Sequence, residues 1–280
     1  MKLLIFCFIF SLSTFSQENT FQFHANIIDA SFNALAYSNI SIKNKTKTNT
    51  VSNKDGHFVI ECRTSDTLII NHVGYKKQEI SVSVLLSNKT FMLQRNILLT
   101  EKIQLIREVQ VITEKKKYRY KNYGNKSKDK AFLLEADSKG LAYEFGVKIN
   151  IPESKNVKLE KFNCYIVRST ADSLKFRLNI YHFKNKDSSL NLLNNNIIIQ
   201  SKIKSGIIEV NLKKERIFVK GDVLVTLEVI EFFGEGNVSF STGTLSGGTY
   251  WREGKEENWE KFPIIGLAFN LDAKVSRRNR

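Results

Sequence analysis

Apolar and polar residues alternate along much of this chain, and that alternation admits few folds. In Leu174-Lys-Phe-Arg-Leu-Asn-Ile-Tyr-His-Phe183 the leucines, Phe176 and Ile180 fall on one side, while Lys175, Arg177 and Asn179 fall on the other. A period of two is the signature of a strand with one face buried and one wetted. The pattern recurs over Leu141–Ile149, Val157–Val167, Gly206–Leu212, Val223–Ile230 and Ile264–Leu271. No stretch carries the 3.6-residue period of a long helix, so the chain is expected to be all-β. From 140 to 276 the pattern predicts an antiparallel, jelly-roll-like sandwich of about eight to ten strands.

The first part breaks into shorter apolar segments. Residues 21–95 hold about seven, from Phe21–Ile28 to Thr90–Leu93, which predicts a second, smaller sandwich. Ile80–Val84 and Thr90–Leu93 read as its last strands. Asp55-Gly56, with Val51 before and Phe58-Val-Ile60 after, is a β-hairpin signal because glycine supplies the positive φ of a tight turn. The Tyr37-Ser-Asn-Ile40 step, the Ser52–Phe58 turn and the Val73-Gly-Tyr75 corner together resemble the carboxypeptidase-regulatory-like domain of bacterial envelope proteins. That resemblance implies a seven-stranded transthyretin-like (prealbumin-like) sandwich without zinc chemistry, with Gly74 at a strand corner and Tyr75 beside the sheet. In the second half, Glu160-Lys-Phe-Asn163, Arg177–Tyr181, Trp259–Pro263 and Gly266–Leu271 resemble an uncharacterised C-terminal domain found behind such modules.

Residues 1–16 place Lys2 before the apolar run Leu3–Phe10 and end on small polar residues, the order of a secretory signal peptide. Cleavage is expected near Ser16-Gln17, and Cys7 lies inside the apolar run, which argues against a lipoprotein. The expected address is the periplasm or the outer-membrane face. Cys62 and Cys164 fall in different predicted domains, so two buried unpaired thiols are expected. The four histidines lack the spacing of a metal site, and no cofactor motif is present.

Residues 96–139 read as a strand followed by a basic linker. Leu105–Thr113 resembles the segment after such domains in envelope receptors, but too little chain follows for an outer-membrane barrel. Lys115–Lys130 holds eight basic residues, one acidic residue and three tyrosines. Behind a signal peptide, nucleic acid is not the expected partner. Lys115, Lys116, Lys117, Arg119 and Lys121 fit either a solvated tether or contact with an anionic membrane surface. The formal net charge of +15 agrees with both.

No catalytic constellation emerges. Glu228, Glu231 and Glu235 lack a fixed separation, and Ser241–Gly247 lacks a nucleophile elbow. The expected function is a non-catalytic binding or scaffolding protein that meets an unidentified envelope protein. Surface-glycan recognition is the alternative and hydrolysis of a glycan or peptide the third. Tyr250, Trp251, Arg252, Glu253 and Trp259 are the candidate ligand residues. They have the right chemistry to stack on and orient a sugar, and cross-strand aromatic packing would use the same types.

Overall fold

The computed structural model describes residues 19–45, 48–102, 118–137, 141–183 and 191–276. The proposed leader, Lys115 to Lys117 and the Leu105–Thr113 segment lie outside them.

The first sandwich contains β1 (Phe21–Ile28), β2 (Asn39–Ile42), β3 (Asn49–Val51), β4 (His57–Cys62), β5 (Thr67–Asn71), β6 (Gln78–Ser81) and β7 (Asn96–Leu98). They form a sheet of order β4-β1-β7 and another of order β3-β2-β5-β6. Alternation in β1 sends Phe23, Ala25 and Ile27 inward against Ile40, Phe58, Ile60, Leu68 and Ile70.

Two expectations fail here. Asp55-Gly56 does not close a hairpin: β3 and β4 belong to different sheets, so the turn carries the chain between layers. Asn53 organises it, its Oδ1 accepting from the amides of Asp55 and His57 at 2.9 and 3.0 Å. Gly56 takes φ +75°, and a Cβ there would sit 2.6 Å from the Ile27 carbonyl oxygen. Of the two segments read as the last strands, Ile80–Val84 ends β6 and begins the short helix α1 (Val82–Ser87), and Thr90–Leu93 lies within the short helix α2 (Lys89–Gln94). Val82 and Leu85 are buried three residues apart, a helical spacing in a run too short to display a period. Asn88 caps α2 by accepting from the Phe91 amide at 3.0 Å.

The second sandwich contains β8 (Tyr118–Gly124), β9 (Leu133–Asp137), β10 (Glu144–Ile149), β11 (Val157–Ser169), β12 (Ser173–His182), β13 (Ile197–Ser201) and β14 (Gly206–Asn211). It continues through β15 (Phe218–Val219), β16 (Val223–Phe233), β17 (Asn237–Gly243), β18 (Thr249–Arg252), β19 (Glu260–Phe262), β20 (Gly266–Leu267) and β21 (Phe269–Ser276). One sheet has the order β13-β12-β16-β10-β18-β19. The other runs β20-β17-β11-β21-β8, with β14 and β15 beside β11 and β9 beside β17. Phe145, Phe176, Leu178 and the Val223–Val229 series of the first meet Phe162, Phe240, Phe269 and Leu271 of the second.

The strand count exceeds the expected eight to ten, because short strands such as β15, β19 and β20 join the sheets and because the basic linker is partly sheet. Tyr118–Gly124 pairs with β21 along its whole length, and Leu133–Asp137 pairs with β17. Charge concealed the alternation there. The wetted face expected on β12 is also absent: Arg177 and Asn179 are buried, as is Glu228 on β16. The first sandwich lies over that face. Asn49 Nδ2 donates to the Glu253 carbonyl at 2.8 Å, Asn71 Nδ2 to Glu256 at 2.5 Å, and Lys77 pairs with Glu256 at 2.6 Å.

Candidate functional site

Two polar surfaces stand on the outer faces of the second sandwich, one covered by the first sandwich and one open. On the covered face, β10, β12, β16 and β18 present Glu144, Arg177, Asn179, Tyr181, Thr226, Glu228 and Arg252 away from the core, with Leu224 packed against Tyr181. Glu144 is opposite Arg252 on β18 and Glu228 on β16. Its Oε2 accepts from Arg252 Nε and Nη2 at 2.9 and 2.5 Å. Its Oε1 accepts from Asn179, Tyr181 and Thr226 at 2.8, 2.8 and 2.5 Å. Burial pushes the Glu144 carboxyl up, but Arg252, Lys255 and the hydrogen bonds outweigh it and hold the group well below the usual carboxylate range. Arg177 donates to the Tyr37 carbonyl of the first sandwich and lies 3.7 Å from Glu228.

The candidate sugar residues belong to this region. Arg252 is the ion-pair partner just described, and Trp259 lies against it, with the guanidinium carbon 4.2 Å from the ring centroid. Tyr250 packs edge-on to Phe183 at 5.3 Å, and Trp251, opposite Phe145, packs against the main core. The Glu253 carbonyl receives the Asn49 bond. The structure therefore brings Tyr250, Arg252 and Trp259 to the covered face and sends Trp251 to the other side of the sheet. At the domain boundary, Gly74 has φ +86° and Tyr75 stands edge-on to His72 at 5.1 Å.

The open face is one that sequence reasoning did not single out. On β8, β21 and β11, Asn122, Asn163, Asn270 and Asp272 form a ladder. Asn122 Nδ2 donates to Asn270 and Asp272 at 2.7 and 2.8 Å, and Asn163 Nδ2 donates to the same pair at 3.0 and 3.1 Å. The Oδ1 of Asn163 is buried with no partner among the described residues. Burial pushes the Asp272 carboxyl up, and the bonds from Asn122 and Asn163 outweigh it and lower its pKa. Two hollows of about 540 and 200 Å³ meet on this ladder and share Asn122, Glu209 and Asp272. Exposed Tyr120 lines the larger and Tyr165 the smaller. Lys121 lines the larger hollow, and Arg119 lies two residues before it on the exposed part of β8. The signal was present in Asn122, Asn163 and Asn270, polar residues at alternate positions of three segments, but only pairing reveals that they are neighbours.

Among the described residues, no group of histidines, cysteines and acids is arranged to hold a metal ion, and no helix is long and apolar enough to cross a membrane. Cys62 and Cys164 are both buried and unpaired.

A family model for the CarboxypepD_reg-like domain matches residues 25–111. No curated protein matches the chain. Among solved structures, a clostridial cysteine protease after propeptide cleavage aligns at 14% identity and a TM-score of 0.36, covering 56% of this chain and 40% of that one. The cysteine protease and lectin-like domains of a surface-layer-associated protein of Clostridium difficile align at 8% identity and a TM-score of 0.38, over 81% and 42% of the two chains. A structure of infectious bursal disease virus, Gx strain, aligns at 7% identity and a TM-score of 0.31, over 86% and 60%. Likenesses this loose say nothing of function.

Proposed function

We propose, from the premise that residues 25–111 are a CarboxypepD_reg-like domain, that this protein is an exported, non-catalytic binding protein. Its second sandwich takes a glycan along the open face. The observation that carries the reading is the amide and carboxylate ladder of Asn122, Asn163, Asn270 and Asp272 between two tyrosines. Fixed amides orient hydroxyls, and aromatic rings accept the apolar face of a sugar. Five lysines against three carboxylates, Glu160, Glu209 and Asp272, line the hollows, an excess that favours an acidic glycan over a neutral one. Glu144 does not fit acid–base work, because both its oxygens are engaged and the group stays ionised.

Calorimetric titration of the full chain with acidic and neutral oligosaccharides tests this. Acidic ones should bind, and Tyr120→Ala and Asn122→Ala should each abolish the heat without altering the circular dichroism. Absence of binding by any oligosaccharide, or binding that both variants retain, defeats the reading. A second reading, docking to an envelope protein, is favoured by Leu245, Phe262 and Ile264, large exposed apolar residues at the end of β19 and in the adjoining loops. Leu245→Ser would disrupt that contact and leave glycan binding intact. Export rests on the Lys2 and Leu3–Phe10 pattern, and sequencing the N-terminus of envelope-derived protein should find Gln17 first.

A further inference from the structure

Between the two sandwiches lies a cleft of about 160 Å³ with walls from both: Asn39, His72 and Tyr75 from the first, and Arg177, Tyr181 and Lys255 from the second. It adjoins a wider hollow of about 530 Å³ that shares His72 and Lys102 with it and adds Glu101 and Asn194 to Asn196. The charges around the inner chamber do not cancel. Around it and the adjoining hollow four cations, Arg177, Arg252, Lys255 and Lys102, stand near three carboxylates, Glu144, Glu228 and Glu101. Arg252 satisfies itself on Glu144. Glu228 accepts from Asn179 at 3.1 Å and lies 3.7 Å from Arg177 and 3.8 Å from Lys255, and Lys255 lies 3.6 Å from Glu144, so neither cation has a carboxylate within hydrogen-bond reach. Arg177 is almost wholly buried, and its Nε has no partner among the described residues. An uncompensated cation taken from water is costly unless an anion meets it.

We infer that this cleft binds the carboxylate of a small monoanionic acid, seated between Arg177 and Lys255. The surplus is a single positive charge, so one negative charge balances it; a dianion would overshoot against Glu144 and Glu228. The planar guanidinium suits a carboxylate, and Lys255, bonded to the Tyr181 hydroxyl, keeps further ammonium protons to donate. The rest of the acid extends towards Asn194 to Asn196, whose amides suit a polar tail. The cleft and the glycan ladder are on different sheets, so this site does not depend on the proposed function.

The test titrates the full chain with N-acetylglycine and with its neutral amide, and reads histidine ring signals by NMR alongside calorimetry. The acid should bind saturably and the amide at least about tenfold more weakly, the size of one lost charged hydrogen bond. The His72 signals should move while those of His24 and His57, on β1 and β4, stay fixed. Lys255→Gln should weaken the acid at least about tenfold, whereas Tyr120→Ala should leave it unchanged. Equal affinity for acid and amide, no binding of either, or binding that leaves His72 unmoved would overturn the inference. The wild-type comparison decides it even if Lys255→Gln does not fold.

Discussion

Glu144 and Arg252 show what a covered face demands of single residues. Both are buried, and Glu144 accepts five of the hydrogen bonds that hold the β10, β12, β16 and β18 face together. Removing either partner strands the other away from water, so Glu144→Ala or Arg252→Ala is expected to cost about 3–5 kcal/mol in urea unfolding. Replacing both with apolar residues of similar volume should recover only part of that loss, because Asn179, Tyr181 and Thr226 lose their acceptor. His72 carries the pH dependence of the same boundary. Its Nδ1 lies 2.8 Å from the Val73 carbonyl, and its Nε2 lies 3.2 Å from the Ala36 carbonyl and 3.1 Å from the Asn196 amide nitrogen. Burial lowers its pKa below 6.5, with Arg177 adding to the fall. A depressed pKa means that the unfolded chain takes up protons first. His72 therefore stabilises the fold above about pH 6.5 and withdraws that support as pH falls through the lower folded value. Denaturation midpoints measured from pH 7.5 to 5 should drop more steeply in the wild type than in His72→Gln.

Strand β10 illustrates an element whose limit is backbone approach. A Cβ on Gly146 would lie 2.0 Å from the Val225 carbonyl oxygen and 2.7 Å from Thr226 Cα, both on the neighbouring strand. Gly146→Ala must push β10 from β16 in the middle of the sheet and should cost at least about 1–3 kcal/mol, seen as a lower urea midpoint. Elements of this kind were legible in the sequence wherever one face stays apolar: β1, β10, β12 and β16 all follow from period two. Where a second layer covers the polar face, alternation still locates the strand but misassigns its wet side, as at Arg177, Asn179 and Glu228. Charge density concealed β8, whose edge position leaves Tyr118 and Tyr120 in water. Six residues are too few for a helix to announce itself, which is why α1 and α2 read as strands. The Asn122, Asn163 and Asn270 ladder needed pairing between strands distant in sequence, and no local pattern records that.

At the scale of the molecule, the polar face of the second sandwich makes the two halves interdependent. Separation would return Arg177, Asn179 and Glu228 to water while breaking the bonds to Tyr37, Glu253 and Glu256. A buried charge network that spans the boundary is stable only when all its members stay engaged, so the opening of one half should release the other. The free thiols report this, because each half holds one of them among the described residues. Burial pushes the Cys62 thiol up to about 11, with Asp66 adding to the rise, and burial raises Cys164 further. Neither forms an appreciable thiolate while folded, and both become reactive once exposed. Labelling at pH 8 across a urea series, with each cysteine followed by peptide mass, should show the two becoming reactive at the same urea concentration. Reaction of Cys62 at clearly lower urea would mean that the first sandwich opens alone, and the covered face would then be only a resting place for it. Glu256→Ala, which removes the partner of Asn71 and Lys77, should widen any gap between the two curves without moving the later one.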